Sequence, residues 1–190
     1  MQNFQEFLEN SLQQNIKKLV PLTGGASADI NRIILENNNE LIVRRSLSKE
    51  QSVMAVPKKL EAKIQRIVRS NDAPVPEIIF EFSEDEDIGE GYVMEAIPGE
   101  TIPRKILRDD KYKNVRSKLS FEIGRSLATI HQTKLDELTD LDSVTFEESL
   151  KKLYLVYSSF EQPQPVFELA FKWLETQELT KYDNVLVHGD

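Results

Sequence analysis

Apolar side chains at positions 4, 7, 8 and 12 recur at helical spacing within an opening rich in Gln, Asn and Glu, so Phe4, Phe7, Leu8 and Leu12 predict an amphipathic helix. The pattern then changes to strand-like runs at 16–22, 30–35 and 41–45. Between the last two lies Glu36-Asn37-Asn38-Asn39; asparagine tolerates positive φ, which predicts an antiparallel meander. Pro57 suits the first position of a helix, and Leu60, Ile64, Ile67 and Val68 form its apolar stripe until the prolines of 71–76 end it. Two further strands are predicted at 77–82 and 91–96, joined by the acidic hairpin turn 83–90. Past Pro98-Gly99 the character becomes helical. Leu119, Ile123, Leu127 and Ile130 make one stripe; two more helices are expected at 149–160 and 166–179, parted by Gln162-Pro163-Gln164-Pro165. Residues 184–187 read as a short buried strand leading into a turn.

This order divides the chain near residues 97–99 into a sheet-rich part, 1–96, with one inserted helix, and a helical part, 97–190. A junction between layers of different character predicts a cleft, and clefts are preferred ligand sites. The 190 residues carry 24 Lys and Arg against 32 Asp and Glu, a net charge of −8, which argues against a general nucleic-acid binder. Cysteine is absent and there are two histidines, which excludes thiol catalysis, disulfides, Cys-ligated metal centres and a His-rich metal site. The start lacks the basic residues and apolar core of a signal peptide, and no apolar run approaches the ~20 residues that span a bilayer. A soluble, cytoplasmic protein without membrane partners is expected.

Five features could carry chemistry. Gly24, Gly25, Ala26 and Ser27 form a turn whose backbone N–H groups can cradle an anion, although paired glycines also make plain turns. In Val43-Arg44-Arg45, alternation places Arg44 on the side of Ile42 and Arg45 on the other. Arg44 then either reaches solvent at the strand end or needs an anionic partner, which its fork would bind in bidentate fashion. Glu61 shares part of the helix stripe with Ile64 and Val68, where it either pairs with Arg44 or serves as a first-turn acid favoured by the helix dipole. The run Tyr92-Val93-Met94-Glu95-Ala96-Ile97-Pro98-Gly99 is an edge strand ending in a turn, or an extended segment offering backbone groups to a flat heterocycle with Met94 as a pliable wall. His188-Gly189-Asp190 places a carboxylate on a turn past a buried strand, a position for a general base. The acidic run 83–90 is read as a solvated loop and His131 as a packing or helix-dipole residue.

Together with Pro74-Val75-Pro76 and Leu127-Ala128-Thr129-Ile130-His131, these features occur in an order that resembles the aminoglycoside phosphotransferase-like enzymes, which share the protein-kinase fold. The likeness covers about residues 19–190, and the connector and the Val-Arg-Arg strand look most like the kinase domains associated with acyl-CoA dehydrogenases. It implies an α+β, kinase-like fold: a nucleotide-binding N-lobe followed by an incomplete helical C-lobe. It also implies ATP with Mg²⁺ and a small hydroxylated acceptor. Gly24–Ser27 would cover the phosphates, Arg44 would touch them while paired with Glu61, and Met94, Glu95 and Ile97 would read adenine. Asp190 would be the catalytic base. The family's metal-binding asparagine and acid lie past a position matching Asp190, so an N-terminal portion of a longer enzyme, inactive alone, is expected. A non-catalytic nucleotide-binding or interaction module is the alternative.

Overall fold

The computed structural model describes residues 4–22, 29–47, 56–83, 87–141, 143–177 and 183–188. By contact the chain forms two compact units, Met1–Leu138 with Leu186–Asp190, and Thr139–Val185. No helix among the described residues is long and apolar enough to cross a membrane.

The first unit is built on an antiparallel sheet of β1 (Ile16–Pro21), β2 (Asp29–Leu35), β3 (Glu40–Ser46), β4 (Ile78–Ser83) and β5 (Glu90–Glu95), in the order β1-β2-β3-β5-β4. The β2–β3 turn closes as its asparagines predict: Asn38 takes φ 62°, and the Asn37 side chain accepts from the Asn39 N–H at 2.9 Å. Helix α1 (Phe4–Leu12) covers one face of the sheet. Its Leu8 is fully buried with Ile33, Val43 and Val93, and Phe4, Phe7 and Phe80 gather around Phe82. Arg45 joins this face, with its guanidinium 3.6 Å from the Phe4 ring centroid and its Nε 2.8 Å from Asp29 Oδ2.

Helix α2 (Lys58–Ser70) lies on the opposite face against β4 and β5, where Ala62 packs with Ile78, Tyr92 and Met94. Pro57 stands one place before the helix, as its N-cap. Its deepest residues are Lys58, Ala62 and Val68, whereas the predicted stripe members Leu60, Ile64 and Ile67 are half-buried. Glu90 on β5 accepts from the Lys59 N–H at 2.7 Å, which ties the first turn of α2 to the sheet, and Gln65 in the middle of the helix donates to the carbonyl of Pro76, just before β4, at 2.8 Å.

Two β-bulges reconcile the strands with this two-faced arrangement. Register slips between Ile78 and Phe80 against Met94 and Val93, so Ile78 joins the α2 face while Phe80 and Phe82 join the α1 face. A second slip between Ile16 and Lys18 lets Ile16 and Leu19 share the α1 face. Strict alternation along either strand would have sent one of these apolar groups to the wrong side.

The helices α3 (Pro103–Arg108) and α4 (Lys113–His131), with 3₁₀ turns at Asp110–Tyr112 and Leu135–Glu137, complete the described part of this unit. The α4 stripe is present, but no residue of α4 is buried, and Ile123 is 51% exposed. Residues 183–188 form no strand, contrary to the sequence pattern; Leu186 is buried while Val185 and Val187 are exposed. A strand needs a neighbour to take its ladder hydrogen bonds, and no described segment pairs with this one.

The second unit is an antiparallel pair, α5 (Phe146–Ser159) and α6 (Pro165–Glu175). The first begins three residues before the predicted start because Thr145 and Glu148 form a capping box. Between the helices, Tyr157 Oη accepts from the Gln164 N–H at 2.7 Å. Tyr154 and Tyr157 both pack on Phe171, the buried residue of α6.

Candidate functional site

The side chain of Arg44 emerges on the α2 face because β3 alternates: Val43 and Arg45 point to α1, while Ile42 and Arg44 point the other way. In the register Arg44 sits opposite Tyr92 on β5 and Ile30 on β2. Glu61, one turn into α2, reaches the same spot. Its Oε2 accepts from Arg44 Nε at 3.1 Å and from Tyr92 Oη at 3.2 Å, and its Oε1 accepts from Lys58 Nζ at 2.7 Å. One carboxylate thus holds two cations and a phenol. The Arg44 and Glu61 side chains are each 24% exposed, and that of Lys58 only 5%.

The electrostatics follow from this geometry. Burial, reinforced by the Glu61 carboxylate and only partly opposed by Arg44, pushes the Tyr92 phenol well above its usual range. Tyr92 therefore stays a neutral donor to Glu61. Arg44 spends Nε–H on Glu61, and no described residue accepts from its two terminal amino groups. That end of the fork is available to an anion.

Gly91 makes the assembly possible. A Cβ there would lie 2.6 Å from the Arg44 carbonyl oxygen and 2.6 Å from the Phe82 ring, so any larger residue would push β3 away from β5 where Arg44 is set. Beside the arginine, Val20, Ile30, Ile34 and Ile42 share its side of the sheet by register. Because α2 packs on β4 and β5, it does not cover them, and all four are half-buried. With Met94 they form an apolar ledge bordering a cationic group, suited to a molecule with one flat and one anionic end.

At the end of β5, the Glu95 N–H is committed to the Glu77 carbonyl at 2.9 Å. Ile97 lies past the last ladder pair, Leu41 with Glu95, and is 57% exposed. Gly24, Gly25, Ala26, Ser27 and Asp190 lie outside the described residues. The structure thus brings Arg44 and Glu61 together and sets Met94 on the same face, with Glu95 and Ile97 continuing from it. Sequence reasoning missed Tyr92, Lys58 and Gly91 as site residues. The first was accessible from register, two residues before Met94 on one face, and the second from the i,i+3 spacing of Lys58 and Glu61.

The model of the phosphotransferase enzyme family matches residues 18–190. The chain belongs to that family. Among solved structures, a protein of Ralstonia eutropha JMP134 described as a putative aminoglycoside phosphotransferase superposes with a TM-score of 0.63 at 17% identity, over 88% of this chain and 51% of that one. A point mutant of aminoglycoside 2'-phosphotransferase-IIIa, solved as its GDP complex, superposes with a TM-score of 0.68 at 11% identity, over 96% of this chain and 61% of that one. At these identities the likeness is one of fold: an α+β, kinase-like architecture. The chain spans about half to three fifths of these two neighbours. No curated protein sequence matches it.

Proposed function

We propose that this phosphotransferase binds ATP through Arg44 and the ledge beside it, as the nucleotide half of an enzyme that moves the γ-phosphoryl group to a hydroxyl of a small molecule. The observation that carries the reading is the Arg44–Glu61 contact of 3.1 Å, which anchors the guanidinium through Nε and leaves its terminal amino groups for phosphate oxygens. Phosphoryl transfer asks little covalent chemistry of the protein; it needs positioning and charge stabilisation. Arg44 supplies charge at the α- and β-phosphates, and the N–H groups of Gly24, Gly25, Ala26 and Ser27 would close over them. Adenine would rest on the ledge with Met94. Since the Glu95 N–H is taken, a donor to the base would come from Ile97.

In the transfer step the acceptor hydroxyl oxygen attacks the γ-phosphorus, the bond to the β-phosphate bridging oxygen breaks, and the hydroxyl proton passes to Asp190. Magnesium would accompany the nucleotide and offset its charge. Among the described residues no group of three or more His, Asp or Glu could hold a metal ion, so none of them is assigned as its seat. Residues 1–96 would form the nucleotide-binding N-lobe and residues 97–190 an incomplete helical C-lobe ending at the catalytic loop. Titration calorimetry with adenylyl imidodiphosphate and magnesium tests the reading: the 190-residue chain binds it saturably, and GDP competes if the ledge tolerates guanine. Absence of saturable binding by the wild-type chain overturns it.

A further inference from the structure

Lys58 is the most buried cation of the site, and the family resemblance gives it no role. An exposed lysine three residues from a glutamate would be a weak surface pair. Here the Lys58 side chain is 5% exposed, and its Nζ lies 2.7 Å from Glu61 Oε1. A buried ammonium is tolerated only when its partner is held close, so this contact constrains both groups. The other carboxylate oxygen, Oε2, serves Arg44 and Tyr92. The two oxygens are divided between separate tasks.

This division has an electrostatic consequence. An Arg44–Glu61 pair alone would be neutral and would draw an incoming phosphate only weakly. With Lys58 the cluster holds two cations and one carboxylate, a net charge of +1, while Tyr92 remains an uncharged donor. Lys58 sits inside and Arg44 is the more exposed cation, so the excess charge is expressed at the guanidinium. We infer that Lys58 is a positioning residue of the phosphate site: it locks the Glu61 carboxylate and balances its charge, so that Arg44 is held by Glu61 without being neutralised by it. The inference rests on the nucleotide reading above and adds a specific residue to it.

A double-mutant cycle on the full chain tests it, with Lys58→Met, Glu61→Gln and both together, each titrated with adenylyl imidodiphosphate and magnesium. Lys58→Met, of similar length but uncharged, is expected to weaken binding about tenfold. In the Glu61→Gln background the same substitution is expected to change affinity by less than about twofold, because Lys58 then has no carboxylate to hold. Unchanged affinity in Lys58→Met, or an equal loss in both backgrounds, overturns the inference while leaving the nucleotide reading intact.

A second measurement needs neither nucleotide nor a folded variant. Trace acetylation of the wild-type chain, read by mass spectrometry, is expected to modify the exposed Lys59 readily and Lys58 scarcely at all. Equal labelling of the two overturns the buried pair even if nucleotide binds. Protected Lys58 in a chain that does not bind nucleotide overturns the functional reading and the phosphate-site role together, leaving only the ion pair.

Discussion

The sheet with its two flanking helices and the α5–α6 pair hold their apolar residues in opposite ways. In the sheet, Leu8, Ile33, Val43 and Val93 are fully buried, and the aromatic rings of both layers surround Phe82. In the helix pair Phe171 is the one described side chain classed as buried, while Leu155, Leu169 and Trp173 are 61%, 70% and 60% exposed. Both regions contain comparable apolar residue types, so composition does not separate them. What separates them is layering: α1 and α2 give each sheet face a partner, whereas a two-helix pair can cover only one face of each helix. The Arg44–Glu61–Lys58–Tyr92 cluster belongs to the region with the fixed core. Positional precision of a few tenths of an ångström needs surroundings that cannot relax.

Truncation should break this contrast open most clearly. Leu8→Ala empties a fully buried position and is expected to cost about 3 kcal/mol in a urea titration. Leu169→Ala, at a position 70% exposed, is expected to change stability by less than about 0.5 kcal/mol. Equal losses would mean that α6 is as tightly packed as the sheet. Gly91→Ala comes next, at about 2 kcal/mol, since the new methyl would meet the Arg44 carbonyl and the Phe82 ring. That variant should also lose nucleotide affinity, which a purely core substitution such as Leu8→Ala should affect less.

Local capping should matter more to the helix pair than to the sheet. Thr145→Ala removes the reciprocal bonds with Glu148 and is expected to cost about 1 kcal/mol, seen as lost helical circular dichroism. The smallest effect at neutral pH concerns Tyr92, whose folded-state pKa lies above its unfolded value near 10. Above pH 10 the unfolded chain releases that proton while the folded chain keeps it, so the stability it contributes is full below pH 10 and declines as pH rises. Wild type should therefore lose stability more steeply than Tyr92→Phe above pH 10, and the two should run parallel below it.

Much of this was legible because strands repeat every two residues. Alternation from Ile42 places Arg44 on the α2 face and Arg45 on the other, and the asparagine turn announces its own positive φ. The bulges at Ile79 and Lys17 were not legible: an inserted residue leaves no compositional mark, and the need for it appears only when both faces are filled. Nothing in the sequence run Tyr92–Gly99 singles out Tyr92; only the strand register sets it opposite Arg44. The Thr145–Glu148 box stands in the sequence at its usual spacing, and it starts α5 three residues before the Ser149 that the apolar pattern predicts. Lys58 was hidden for a different reason, since a lysine in a first turn ordinarily faces water.

The central claim is that Arg44, steadied by Glu61, is the phosphate-binding cation. Calorimetric titration of adenylyl imidodiphosphate into wild type and Arg44→Ala measures it most directly, because the Lys58–Glu61 contact of 2.7 Å does not involve Arg44 and is expected to keep Glu61 paired in the variant. The account predicts saturable binding by the wild type and a loss of at least about tenfold in Arg44→Ala with little change in melting temperature. Equal affinity in the two chains would contradict it.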